Sequence, residues 1–232
     1  MHTPYILHID TATEVCSVSL SKGDLLLHTI ETQEPNQHAA RLTLFIEEIL
    51  ERQGLSSAQL DAIAVSKGPG SYTGLRIGVS TAKGLCYGAD LPLIGINTLE
   101  SMLEGYKTIT NGTPNTLYCP MLDARRMEVY MSTWNSRYEP VTPTEARIIG
   151  EDSFADDSMH DIRLFGSGAR KFEELFADRA NITIDKQYKH SSKHMHKLAL
   201  QRYIDKEFED IIYFEPFYLK EFVATTPKKN KL

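Results

Sequence analysis

Cysteine is scarce in this chain. Cys16, Cys86 and Cys119 are the only three among 232 residues, and they stand far apart. Their spacing excludes a disulfide framework and a cysteine-ligated zinc site, and an odd, sparse set suits a reducing cytoplasm. Long apolar runs are missing as well, so no membrane-spanning helix is expected. Met1-His2-Thr3-Pro4 runs straight into a strand-like segment, and no signal peptide is expected either. Basic excess is a third absence. Lys and Arg number 25 against 31 Asp and Glu, a formal net charge of −6. A chain that gripped nucleic acid by itself would more often be basic, so such contact is expected to be weak and local or to come through a partner. There is also no Gly-x-Ser-x-Gly elbow and no His-Glu-x-x-His helix, which removes two common hydrolase classes.

What is present is an ordinary globular composition, 41% hydrophobic and 24% charged, in a chain long enough for one large domain or two small ones. Residues 5–10, 15–20 and 25–30 read as a three-stranded antiparallel meander whose first turn is Asp10-Thr11-Ala12-Thr13. Helical spacing of Leu42, Phe45, Ile46, Ile49 and Leu50 predicts a helix over 37–53, capped by Asn36 and ended by Gly54. Ser56 and Gln59 fit a capping box. A strand over 61–66, a helix over 73–87, a short strand over 91–96 and a helix over 98–106 follow. Beyond a polar stretch at 108–115, strands are expected at 117–122, 128–134, 146–149 and 162–165, with helices at 169–176 and 193–203. Residues 152–161 read as a surface helix or loop, and 226–232 as a basic, loose tail. Strands ahead of helices, with helices crossing between strands, indicate α/β or α+β; the order matches the half-unit of the actin-like ATPase fold.

The most informative stretch is Lys67-Gly68-Pro69-Gly70-Ser71-Tyr72-Thr73-Gly74-Leu75-Arg76-Ile77-Gly78. Gly68, Gly70 and Ser71 at a strand-to-helix junction can cradle an anion, or they can simply make a tight connection. The stretch is neither a P-loop nor a dinucleotide fingerprint, because the glycine spacing and the Gly-Lys-Ser/Thr ending differ. Asp10 and Thr11 in the first turn can likewise face a phosphate or form a plain Asx turn. Gly74, Gly78 and Ala82 share one helix face, which suits close approach of another backbone, from this chain or a partner. Arg76 in the first helical turn opposes the helix dipole and is expected to meet an anion or a partner unless it is simply solvated. His190, His194 and His196 sit among Lys189, Lys193 and Lys197, which oppose a metal cation, so an exposed basic patch is expected there.

The chain resembles the TsaB (YeaZ) family, a subunit of bacterial tRNA threonylcarbamoyladenosine biosynthesis. The resemblance rests on Ile9 to Glu14, His38, the glycine-rich stretch with Ala82 to Leu85, Pro92 to Glu100, Asp123 to Tyr130, and Glu215 to Lys220, with Lys where the family's closing element has Arg. It is dense over residues 1–130 and thin over 135–212. It implies an α/β, two-lobed actin-like ATPase fold of the sugar kinase/Hsp70 superfamily with a reduced second lobe. Expected divisions are 1–104 for the first lobe, 105–215 for the second, and 216–232 for a terminal segment packing back on the first. The family is a shortened relative of TsaD, which holds a metal through a His-x-x-x-His pair after the same Pro-Leu-Ile-Gly-like strand. Here those positions are Thr98 and Met102, so no metal ligand and no catalytic residue is assigned.

The resemblance further implies a scaffold subunit that works with a TsaD-like catalytic subunit and a TsaE-like ATPase. It would act on tRNA only through that complex, with ATP and a divalent metal on the partners, and no independent activity is expected. Pairing would use the two long helices, with Leu42, Phe45, Leu75 and Val79 as the apolar centre and Arg41, Arg76 and Lys83 at the edge beside His38. A nucleotide in the chain's own cleft would lie among Asp10, Thr11, Gly68, Gly70, Ser71, Gly166 and Gly168. That keeps an active ATPase or small-molecule kinase as the alternative, with a peptidase, an old label of the superfamily, behind it. A homodimer through the same helices is left open.

Overall fold

Tyr5–Asp10 (β1) is buried on both faces because it becomes an interior strand. In a computed structural model, which describes residues 2–220, it pairs antiparallel with Cys16–Lys22 (β2) and parallel with Ala62–Gly68 (β4). Leu25–Thr32 (β3) and Leu93–Asn97 (β5) complete a sheet of order β3-β2-β1-β4-β5. Period-two alternation then sorts the side chains of β1. Leu7 and Ile9 pack under the helices His38–Gln53 (α1) and Tyr72–Ala89 (α2), while Ile6 packs on the opposite face against Met195 and Ala199. His8 and Asp10 therefore share the face of Ile6.

Helix α1 buries Leu42, Ile46 and Ile49 at four- and three-residue spacing, each contributing about 1.5–3 kcal/mol relative to exposure. Gly54 ends it in a left-handed conformation, and the Ser56–Gln59 capping box forms. Its start differs from expectation: Gln37 is the N-cap, and Asn36 lies one residue outside with φ 60°. Thr98–Lys107 (α3) is capped by the Asn97 side chain and leads to the second lobe.

There Thr116–Asp123 (β6), Glu128–Trp134 (β7), Pro140–Ile148 (β8), Asp161–Phe165 (β9) and Ile182–Asp185 (β10) form a sheet of order β10-β9-β6-β7-β8. Read from β8, this is the first sheet's order repeated, with the same antiparallel and parallel pairs. The duplicated topology is the two-lobed actin-like ATPase fold. The second lobe is reduced: where α2 spans 18 residues between β4 and β5, a 3₁₀ turn at Ala169–Phe172 stands between β9 and β10. The helix expected over 169–176 is thus shortened, because Phe172 and Phe176 already bury themselves from the 3₁₀ turn and the turns after it. Residues 152–161 are turns, and β8 begins earlier than expected.

The chain also returns to the first lobe well before 216. Ser192–Met195, a 3₁₀ turn, and His196–Asp205 (α4) place Met195 and Ala199 on Ile6, Ala64 and Ile94. Glu209 bridges Leu93, and Phe214 joins the first core. Most of 192–215 therefore packs with the first sheet. The terminal segment continues there: Phe217 N–H donates to the Lys67 carbonyl at 2.6 Å. The basic tail at 226–232 lies outside the described residues.

Candidate functional site

Asp10 ends β1 at the mouth between the lobes and is 1% exposed. A buried carboxylate needs donors, and three reach it. His190 Nε2 lies 2.7 Å from Oδ2, Ser66 Oγ donates to the same oxygen, and Ala12 N–H donates to Oδ1 at 3.0 Å. Burial works to raise this carboxyl. The His190 charge and hydrogen bond, with those from Ser66 and Ala12, more than offset it and hold the group below the ordinary carboxylate range. His190 is therefore not part of an exposed basic patch. It is buried, with Tyr188 OH 3.4 Å from its Nδ1, and that hydroxyl donates to the Met102 carbonyl at 2.8 Å. Burial and the neighbouring His190 and Lys193 push His194 down to about 3, which keeps it neutral beside Tyr188. His190 escaped the sequence reading because 180 residues separate it from Asp10. The available signal was a carboxylate on the buried face of β1, which had to find a donor.

The glycine-rich loop packs on the same turn. A Cβ at Gly74 would lie 2.0 Å from the Thr11 carbonyl oxygen, and Thr11 Oγ1 donates to the Gly74 carbonyl at 2.7 Å. The close approach allowed by that helix face is therefore within the chain. Ser71 Oγ accepts the Gly74 N–H and caps α2, Ser71 N–H donates to Ala12 O, and Gly70 faces Ala12. Gly68 takes φ 112°, with Phe217 O where a side chain would go.

Gly166 and Gly168 stand across the mouth. Gly166 is backed by the Met102 methyl and Gly168 by Leu122 and Val129. The crevice between the Asp10 side and Gly166, lined by Thr13, Met102, Ser167, Tyr188 and His190, holds about 10 Å³. That is room for about one water, against about 300–1,000 Å³ for a small-molecule site. A nucleotide does not fit this crevice, but the groove beside it, about 1090 Å³ and lined by Thr13, Gly70, Ser71 and Ser167 among others, has room for one. A cation does not fit the Thr98 and Met102 positions either: both are fully buried, Met102 among Leu99, Leu103 and Phe165, and a thioether is a poor ligand for a hard ion. Ser66, Asp10 and His190 do not make a nucleophilic triad, because Ser66 and His190 both bond Asp10 and Ser66 is fully buried.

The expected pairing residues divide. Leu42, Leu75 and Val79 are 1%, 1% and 3% exposed, inside the chain's own core, so they are corrected from interface to core. Phe45 is half-buried beside that core. His38 Nε2 lies 3.0 Å from Thr13 O, and Lys83 Nζ donates to the Phe214 carbonyl at 2.9 Å, so both make contacts within the chain. Arg41 and Arg76 are exposed, the latter lying over the Tyr72 ring at 5.1 Å. Exposed on the two helices are instead Leu44 on α1 and Ser80, Gly84 and Tyr87 on α2, with Tyr87 86% exposed. No helix among the described residues is long and apolar enough to cross a membrane.

A family model described as "TsaD: tRNA N6-adenosine threonylcarbamoyltransferase" matches residues 26–225. The chain is 30% identical over 225 residues to the tRNA threonylcarbamoyladenosine biosynthesis protein TsaB of Escherichia coli K12, covering 94% of this chain and 96% of that protein. It is 40% identical over 127 residues to the protein of the same name from Haemophilus influenzae, covering 55% of this chain and 52% of that one. Among solved structures it superimposes on YeaZ from Pseudomonas aeruginosa with a TM-score of 0.78 at 23% identity, over 93% of this chain and all of that one, a likeness of fold.

Proposed function

The chain belongs to the TsaB family, and from that premise we propose that it is the non-catalytic partner of a TsaD-like subunit in forming tRNA threonylcarbamoyladenosine. The single observation behind the non-catalytic half is that Thr98 and Met102, at the positions where a TsaD-like relative would carry its metal-binding pair, are fully buried and chemically unsuited to a hard cation. ATP and the divalent metal then belong to the TsaD-like subunit and a TsaE-like ATPase, and the complex works on tRNA in the cytoplasm.

Partner contact falls on the outward stripe of α1 and α2. Tyr87 and Leu44 supply apolar anchors at 86% and 50% exposure, and Arg41 and Arg76 supply a polar edge. Gly84 has nothing within 4 Å of where a Cβ would stand, so a partner backbone can come close there. The same stripe gives the isolated chain a route to a homodimer.

The test combines co-elution with the TsaD-like subunit and a reconstituted modification assay. Leu44→Glu with Tyr87→Glu is expected to abolish co-elution while leaving the isolated chain folded. The unaltered chain is expected to be inactive alone and required in the mixture. Hydrolysis of ATP or modification of tRNA by the isolated chain would overturn the reading.

A further inference from the structure

The last described residues cross from the first lobe to the second. Glu215 to Lys220 form no helix and no strand, so their course is set by what they touch. At the first lobe the hold is made by backbone. Phe217 N–H donates to the Lys67 carbonyl at 2.6 Å, and the Phe217 carbonyl oxygen lies 2.8 Å from where a Cβ at Gly68 would stand. Gly68 meets that approach at φ 112°, a conformation that a side chain would resist. Just ahead, Phe214 is buried in the first core, and Lys83 Nζ donates to its carbonyl at 2.9 Å. Tyr218 then packs its ring on Tyr72, with centroids 5.0 Å apart.

At the second lobe the hold is made by a side chain. Lys220 Nζ pairs with the Glu128 carboxylate, donates to the Ala124 carbonyl at 3.4 Å and lies 5.9 Å from the centre of the Tyr130 ring. Both members of the ion pair are part-exposed, at 36% and 26%. An ion pair in that setting adds little net stability and weakens as salt rises. The turn it closes on is itself fixed. Ala124 N–H donates to the Glu128 carbonyl at 3.1 Å, and Lys171 Nζ donates to the carbonyls of Arg126 and Glu128 at 2.8 and 2.6 Å. The two ends therefore differ in strength: a backbone anchor seated on a glycine, and an ion-pair latch on a preformed turn.

Between those ends, Phe217 to Lys220 line the groove of about 1090 Å³, with Pro69 to Leu75 on the first lobe and Leu122 to Arg125 and Tyr130 on the second. The contacts that close the crevice, His190 on Asp10 and Tyr188 on the Met102 carbonyl, are buried. A tether built to stay shut would resemble them; the Lys220 latch lies at the surface, within reach of solvent ions.

We propose that Glu215–Lys220 is a strap that gates this groove. It pivots at Phe217 on the first lobe and latches through Lys220 on Glu128 of the second. Latched, it holds Tyr218 against Tyr72 and Lys220 over Tyr130. Release of the latch swings Tyr218 to Lys220 away and uncovers both rings. The gate is a property of the isolated chain and stands apart from the partner reading.

The test uses the full chain at low and high KCl. Hydroxyl-radical footprinting by mass spectrometry reads tyrosine exposure, and amide exchange resolved by NMR reads the Phe217 N–H. Lys220→Gln and Glu128→Gln each remove one charge of the latch. Either is expected to raise labelling of Tyr130 and Tyr218 by about 2- to 5-fold, the effect of losing one exposed ion pair. High KCl should move the same labels in the unaltered chain and add little to either variant. The Phe217 N–H should stay protected throughout. Unchanged Tyr130 and Tyr218 labelling in both variants and at high salt overturns the proposal, since the segment is then a fixed tether. Loss of Phe217 protection in step with the labels overturns it too, because the pivot is then not held. A rise that extends to Tyr118, which is 1% exposed, marks general unfolding and also counts against the gate. Where a variant fails to fold, the salt series on the unaltered chain decides.

Discussion

Removing His190 should expose how much the closed crevice depends on one ion pair. The side chains of His190 and Asp10 are 3% and 1% exposed and 2.7 Å apart. His190→Leu keeps bulk and removes the donor, leaving the Asp10 charge with Ser66 Oγ and one N–H from Ala12. A buried charge stripped of its partner costs about 3–5 kcal/mol, a large share of the roughly 5–15 kcal/mol that holds a domain folded. Asp10→Asn removes the charge instead. On that background His190→Leu has no ion to strand, so the two changes should be non-additive by about 1.5–3 kcal/mol. Urea titration at neutral pH reads this directly, with Trp134, the chain's single tryptophan, reporting on the second lobe and far-ultraviolet circular dichroism on both. A loss below about 1 kcal/mol for His190→Leu, or strict additivity in the cycle, would refute the idea that this pair holds the crevice shut.

Two glycines on α2 should respond in opposite directions. Gly74→Ala drives a Cβ to 2.0 Å from the Thr11 carbonyl oxygen and should cost about 2–4 kcal/mol in urea. Gly84→Ala meets nothing within 4 Å and should stabilise the isolated chain by about 0.5–1 kcal/mol; equal effects would mean the helix face is wrongly placed. His8 makes a pH prediction. Burial, with repulsion from His196, lowers it from 6.5 to about 3, so below pH 6.5 the unfolded chain takes the proton first and stability falls as pH falls. Between pH 7.5 and 5 this group should remove about 2 kcal/mol, a loss that His8→Gln abolishes; parallel pH profiles would exclude it. The Asp10 contribution has the same sign but is lost only lower, as pH drops through the carboxylate range.

Where local chemistry decides the outcome, the sequence is enough. Alternation marks β1 and β2, helical spacing finds α1, and Gly54 and the Ser56–Gln59 box stand where their chemistry places them. Where a partner lies far along the chain, it is not. Leu42, Leu75 and Val79 have the spacing of an apolar anchor stripe, and that spacing is the same whether the stripe meets another subunit or the chain's own sheet. Only the fold supplies the phase. The second lobe is harder for a related reason: Ile182–Asp185 is short and half-buried, and the crossover ahead of it is a 3₁₀ turn without a helical period. Asp10 and the Gly68–Ser71 loop do meet at one corner, but their engagement with His190, Thr11 and Ala12 depends on segments that no local pattern links.

The way the crevice is filled bears on what the fold has become. The filling comes from separate places: His190 on Asp10, Met102 against Gly166, and the Tyr188 hydroxyl on the Met102 carbonyl. These segments belong to different elements of the two lobes, so no single substitution empties the crevice. Each of these pairings also ties one lobe to the other or to the returning C-terminal segment. Hinge closure around a ligand needs lobes that separate at low cost, and here separation would strand a buried carboxylate and expose Tyr106, Phe165 and Tyr188, which pack ring to ring across the α3 boundary. The inner glycines of α2 lie against the chain's own first turn, while Gly84 and Tyr87 face outward, so one helix both locks the core and leaves an exposed outer face.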